Sequence, residues 1–118
     1  MFIFDLSVPG VVRIKIAGEV GSSFVREVID AWLGSEGYTI ERGLLWDVRE
    51  ASVGHMVPAD MQKIREYADL KLGPVKTAFL VDSDLGWGLT RQAGALGSSE
   101  RGFLPFTDEA EAIDWLTA

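Results

Sequence analysis

The stretch Gly43-Leu44-Leu45-Trp46-Asp47-Val48-Arg49 is the strongest constraint on what this chain can fold into. A short apolar run bounded by glycine and by charge suits a β-strand buried on both faces. Such strands belong to sheets flanked by helices. The acid that ends the run is expected at the rim, where such sheets present ligands or partners.

The rest of the chain reads as elements stacked beside that strand. Phe2, Phe4 and Leu6 alternate with Ile3, Asp5 and Ser7, a period of two. Val8-Pro9-Gly10-Val11 then predicts a type II turn, with proline and glycine at its two centres. Val12, Ile14 and Ile16 alternate with Arg13 and Lys15, so the chain opens with a hairpin whose second strand has one apolar and one charged face. Gly18 to Gly21 reads as a break, and Ser22 or Ser23 as the cap of a helix carrying Phe24, Val25, Val28, Ile29 and Trp32 on one side.

After the central strand, Glu50 to Val57 reads as a loop and Pro58 as the first turn of a second helix, with Met61, Ile64, Ala68 and Leu72 as its buried stripe. Gly73-Pro74 stops it. Val75 to Val81 is an apolar strand. Asp84 caps a third helical stripe of Leu85, Leu89, Ala93 and Leu96, which Gly86, Gly88 and Gly94 loosen. Arg101 to Phe106 reads as an edge strand, because Pro105 cannot donate to a ladder. Asp108 and Glu111 form a capping box for a last helix anchored by Ala112, Trp115 and Leu116.

The predicted class is therefore α/β, in the order β-β-α-β-α-β-α-β-α. Strands joined by helices run parallel with right-handed crossovers, so the five-stranded sheet is mixed. At 118 residues, with no linker or repeat, residues 1–118 read as one domain.

Bulk properties narrow the function. Eleven basic residues against 18 acidic ones leave a net charge of -7, which disfavours nucleic acid and anionic membrane surfaces. Without cysteine there is no disulfide, thiolate metal site or cysteine nucleophile. No basic leader and no stretch of roughly 20 apolar residues is found, so neither secretion nor a membrane span is expected and the cytoplasm is the default.

The element order, the Leu-Leu-Trp-Asp-Val-Arg and Val-Lys-Thr-Ala-Phe-Leu-Val strands and the ending Phe106-Thr-Asp-Glu-Ala-Glu-Ala-Ile-Asp-Trp-Leu116 resemble the SpoIIAA-like, STAS-type domains. These are relatives of the sporulation anti-sigma-factor antagonists. The subgroup most similar comprises bacterial STAS or CRAL-TRIO-like proteins of mostly unassigned function. The resemblance spans nearly the whole chain. It implies a singly wound sheet in sequential strand order with helices mainly on one face, leaving the other face free to pair with another molecule. The antagonists carry a phosphorylatable Ser or Thr about nine residues beyond the strand-end acid. Here that position is Met56, so the phosphoswitch does not carry over.

The polar residues expected at the C-terminal ends of the parallel strands are Glu19 and Ser22, then Asp47, Arg49, Ser52 and His55, then Asp82, Ser83 and Asp84. From these, Arg49, Ser52, His55 and Asp82, with Trp87 in its Gly-Trp-Gly setting, are the candidate ligand or partner surface. In the plainer reading, Asp47 and Arg49 form a local ion pair and Asp84 is a cap. Trp32, Trp46 and Trp115 sit in apolar patterns and read as core. No catalytic, cofactor or metal residues are assigned. The favoured function is a non-enzymatic STAS-type module acting through protein contacts, as a homodimer or on a protein partner. The alternative is a binder of a small apolar or lipid-like ligand beside Trp87. A hydrolase or metal site at His55, the lone histidine, is the residual reading.

Overall fold

The computed structural model describes residues 1–52, 57–73, 75–82 and 103–118. His55, Trp87, Met56, the Asp84 cap and the third helical stripe of the sequence reading lie outside them. Strand β1 (Phe2–Asp5) pairs antiparallel with β2 (Val11–Glu19). Helix α1 (Ser22–Leu33) leads to β3 (Gly43–Ser52), helix α2 (Pro58–Leu72) to β4 (Thr77–Leu80), and β5 (Phe103–Phe106) to helix α3 (Glu109–Thr117). The sheet order is β1-β2-β3-β4-β5, sequential throughout, with β2 to β5 parallel. That is the mixed, singly wound sheet expected from the sequence. Pro105 lies on an edge strand, as its missing N–H requires.

Period-two alternation divides the sheet residues between two cores. Val12, Ile14, Ile16, Leu44, Trp46 and Phe79 face α1 and α2. Val11, Leu45, Ala78 and Leu80 face the opposite way, where Ala112 and Leu116 of α3 cover them. Two of the three described helices thus share one face. On the other, α3 lies close to β3, and a Cβ built on Gly43 would stand 3.1 Å from Leu116 Cδ2. A side chain there would push Leu116 back by a few tenths of an ångström.

The local signals act largely as their chemistry suggests. Gly10 adopts φ +77° and the Val11 N–H donates to the Val8 carbonyl at 3.2 Å, the geometry of a type II turn. The stripes Val25, Val28, Ile29, Trp32 and Met61, Ile64, Ala68, Leu72 are buried, while Phe24 packs half-buried against the same core. The stripe of α2 also holds Arg65, 1% exposed, whose Nε donates to Asp69 one turn later at 3.3 Å. Asp108 accepts from the Glu111 N–H at 3.2 Å. At α2, Asp60 accepts from the Val57 N–H at 3.0 Å; valine has no acceptor to return the bond, so half of a capping box forms.

Three readings are corrected. Gly18 does not break the strand: with φ +90° it is carried inside β2, which runs on to Glu19. Glu50, Ala51 and Ser52 are not loop but the end of β3, paired with Ala17, Gly18 and Glu19. Neither Ser22 nor Ser23 caps α1. The N-cap is Gly21, extended at φ -126° and ψ 177°, with no side-chain acceptor for the first turn. A Cβ at Gly21 would meet nothing within 4 Å. Gly21→Ser is therefore expected to stabilise the fold by about 0.5–1 kcal/mol, through a new cap and a less flexible unfolded chain. A urea midpoint that fails to rise would contradict the capping argument.

Candidate functional site

Asp47 stands in a strand that is otherwise apolar, and it is 2% exposed. A buried carboxylate must find charged or hydrogen-bonding partners or give up its charge. Its position on β3, opposite Lys15 and five residues before the strand ends, lies inside the β2–β3 ladder, while on its other side it is level with Leu80, where β4 ends. The charged face of β2 supplies one partner, as the Arg13 Nη2 donates to Oδ2 at 2.9 Å. Arg49 supplies the rest. Its Nε donates to Oδ1 at 3.0 Å, its Nη2 to Oδ2 at 2.9 Å, and its backbone N–H to Oδ1 at 3.3 Å.

A bulge makes this possible. Between the Lys15↔Asp47 and Ala17↔Glu50 pairs, β2 advances two residues and β3 three. The extra residue puts Arg49 and Glu50 on one face in succession, so that Arg49 turns back to Asp47 while Glu50 meets Lys15 at 3.3 Å. Arg13 also reaches Glu109, in the first turn of α3, at 2.9 Å. The cluster therefore begins under the helix N-terminus and extends outward past α3, where the Arg49 and Lys15 side chains are 40% and 39% exposed.

The electrostatics follow from these contacts. Burial by itself would raise the Asp47 pKa, but the hydrogen bonds from Arg49 and then Arg13 outweigh it and hold the carboxyl down at about 2. Asp47 in turn keeps the Arg49 guanidinium above its ordinary value, against the opposing effect of burial, with further help from Glu109 and Asp82. A carboxylate so firmly ionised and with both oxygens engaged is a poor proton acceptor.

Of the residues singled out from the sequence, the structure places Arg49 in this cluster and Asp82 just past β4, close enough to act on its charge. Ser52 ends β3 beside Glu19, and its carbonyl accepts from the Val20 N–H at 3.0 Å. The ion pair between Asp47 and Arg49 is present as the plainer reading had it. Arg13 was missed as a site residue. The signal was an acid in an apolar strand next to a strand with a cationic face.

A second feature lies across the molecule. A groove between α1 and α2 is lined by Ser22, Arg26, Lys63, Glu66, Tyr67 and Leu70. The Tyr67 hydroxyl donates to Asp30, which raises its pKa, and Arg26 lies 4.7 Å above the ring. The charged lining does not suit an apolar ligand. Among the described residues no three His, Asp or Glu side chains converge as a metal site would need, and no helix is long and apolar enough to cross a membrane.

No protein-family model matches the chain, and no curated protein matches it in sequence. Solved structures do. An uncharacterized protein of the DUF3478 family with a SpoIIAA-like fold, from Shewanella loihica PV-4, aligns over 98% of this chain and 92% of its own, with a TM-score of 0.63 and 18% identity. The anti-sigma factor antagonist SpoIIAA in its unphosphorylated form aligns over 100% and 99%, with a TM-score of 0.51 and 20% identity. With the sequential mixed sheet already traced, these likenesses establish that the chain has a SpoIIAA-like, STAS-type fold.

Proposed function

We propose that this protein is a non-enzymatic, STAS-type interaction module of the cytoplasm that works through the charged end of its sheet. The supporting observation is the half-exposed cluster of Lys15, Arg49 and Glu50, anchored on buried Asp47 and lying beyond the cover of α3. Paired, pre-oriented charges at a surface give specificity and steer encounter more than they add affinity. Ser52 and Asp82 extend the same surface along the strand ends. The fold likeness to an anti-sigma factor antagonist favours a protein as the partner, whether another chain or a second copy. The helix after β3 opens Val57-Pro58-Ala59-Asp60, with no hydroxyl, which supports a module working without a phosphorylatable serine there.

The test exchanges charge without losing it. Lys15→Glu together with Glu50→Lys keeps the pair's mutual attraction and reverses its order on the surface. Exposed pairs contribute at most about 1 kcal/mol, so the fold should survive with its melting temperature nearly unchanged. Partner binding, measured by quantitative co-purification from the native cell, should fall about tenfold or more. An unaltered set of partners at unaltered yield would refute the assignment of this surface.

A further inference from the structure

We infer that β1 is the pairing edge of a homodimer, in which two copies join antiparallel about a two-fold axis at Ile3. The inference deepens the interaction-module reading by naming one partner, but its geometry stands without that reading.

The two edges of the sheet differ. On β5, Pro105 removes a donor, one of the devices that keep an edge from pairing. On β1, among the described residues, the charge of Asp5 falls only at the strand's end. Phe2-Ile3-Phe4 contains no lysine, proline or bulge, and it is apolar on both faces. Phe2 and Phe4 lean half-buried on Phe24 and Trp32, with ring centroids at 6.0 and 5.5 Å. Ile3, on the other face, is 57% exposed, with Met1 beside it more exposed still.

The backbone sets the register. The Ala17 N–H donates to the Met1 carbonyl at 3.0 Å, and the Met1 nitrogen returns a bond to the Ala17 carbonyl at 3.4 Å. Met1↔Ala17 is therefore a hydrogen-bonded pair. By alternation through the regular register, Ile3↔Lys15 and Asp5↔Arg13 are hydrogen-bonded pairs too. The N–H and C=O groups of Phe2 and Phe4 then point away from the sheet, two donors and two acceptors in a row.

A second copy complements that row. With the axis at Ile3, Phe2 of each chain faces Phe4 of the other, and all four groups of each strand are satisfied. Ile3 meets its own symmetry mate in a non-hydrogen-bonded pair, where side chains come closest. The half-buried phenylalanines gain apolar cover on the opposite face. Charge permits the match, because Asp5 falls opposite Met1 of the partner strand and the two Lys15 side chains are held apart by the isoleucine pair. An extended peptide of another protein would use the same amides, but it would lack this built-in symmetry.

The absence of native cysteine makes the test clean. Non-hydrogen-bonded residues lie about 4.5 Å apart at Cα, within the roughly 4.4–6.8 Å that a disulfide spans. Ile3→Cys should therefore form a disulfide-linked dimer under mild oxidation. It should do so about tenfold or more faster than Ile40→Cys, a comparably exposed control off the strand, because pairing raises the effective thiol concentration. Ile3→Lys should turn a light-scattering dimer into a monomer while leaving the circular dichroism unchanged. Equal cross-linking at positions 3 and 40, or a dimer indifferent to Ile3→Lys, would overturn this edge as the interface and leave the interaction module intact. A wild-type chain that stays monomeric throughout a concentration series would overturn self-pairing altogether. The module reading would then rest on its own charge-swap test, and β1 amides protected from exchange only by another protein would identify that occupant instead.

Discussion

Alanine at position 32 is expected to lower the unfolding free energy by about 4 kcal/mol, within the usual cost of removing a buried tryptophan. Trp32 is 2% exposed and is the common neighbour of three parts of the chain. Its ring meets Phe4 of β1 at 5.5 Å and Tyr38 of the following loop at 5.4 Å, both edge-on, while its backbone belongs to the last turn of α1. Two of its neighbours are held back from the space. Phe4 is held by the β1–β2 register, and α1 is held against α2 through the same core. Chemical denaturation should show the loss as a lower midpoint with an unchanged slope. A loss under about 1.5 kcal/mol would mean that β1 and the loop collapse onto the vacancy, and the claim that Trp32 fixes them would fail.

The second large effect is predicted at Asp47. Asp47→Asn keeps the shape but removes the charge that Arg13 and Arg49 share. Breaking a buried pair costs about 3–5 kcal/mol, but here the guanidinium groups keep contact with water, so about 2–3 kcal/mol is expected at neutral pH. The pH dependence separates charge from packing. The folded-state pKa, about 2, lies below the ordinary 3.8, so the carboxylate's contribution is fully present above about pH 4. It fades as pH falls through 4 toward 2, and it amounts to at most about 2.5 kcal/mol. The gap between wild type and Asp47→Asn should therefore narrow over that interval, while other carboxylates affect both proteins alike. A gap constant from pH 7 to pH 2.5 would show that the asparagine hurts by shape and not by charge.

The cluster also shows where sequence reasoning reaches and where it stops. Arg49 could be paired with Asp47 because they lie two positions apart and both belong to a recognisable strand. Arg13 could not, because its approach depends on the β2–β3 register across 34 residues, which no local pattern encodes. The same limit explains the strand ends. Gly18 reads as a break when only propensity is weighed, yet the parallel ladder to Ala51 carries β2 through it. Glu50 and Ser52 look like loop because they are polar, but both are exposed at the end of β3, where polar residues are tolerated, while Ala51 between them packs on the core facing α1 and α2. By contrast, the stripes of α1 and α2, the Pro9-Gly10 turn and the edge position of Pro105 were legible, since each follows from a residue's own geometry. At α1 the serines suggested a cap, but the helix begins one residue too early for either to act, with Gly21 in the capping place.

The close seat of α3 on Gly43 bears on how the chain is assembled as it is synthesised. Val11, Leu45, Ala78 and Leu80 have their cover in Ala112 and Leu116, and Thr117 comes near Gly10. The longest of these contacts, from Val11 to Leu116 and from Gly10 to Thr117, join residues about a hundred positions apart, and contacts of that span form late. The core between the sheet and helices α1 and α2 draws only on residues up to Val81 among those described, so it can begin to pack while the rest is still being made. Until residue 116 has emerged, a nascent chain lacks the cover that α3 gives this second face. Its row of aliphatic side chains, still without α3, is where a chaperone would act.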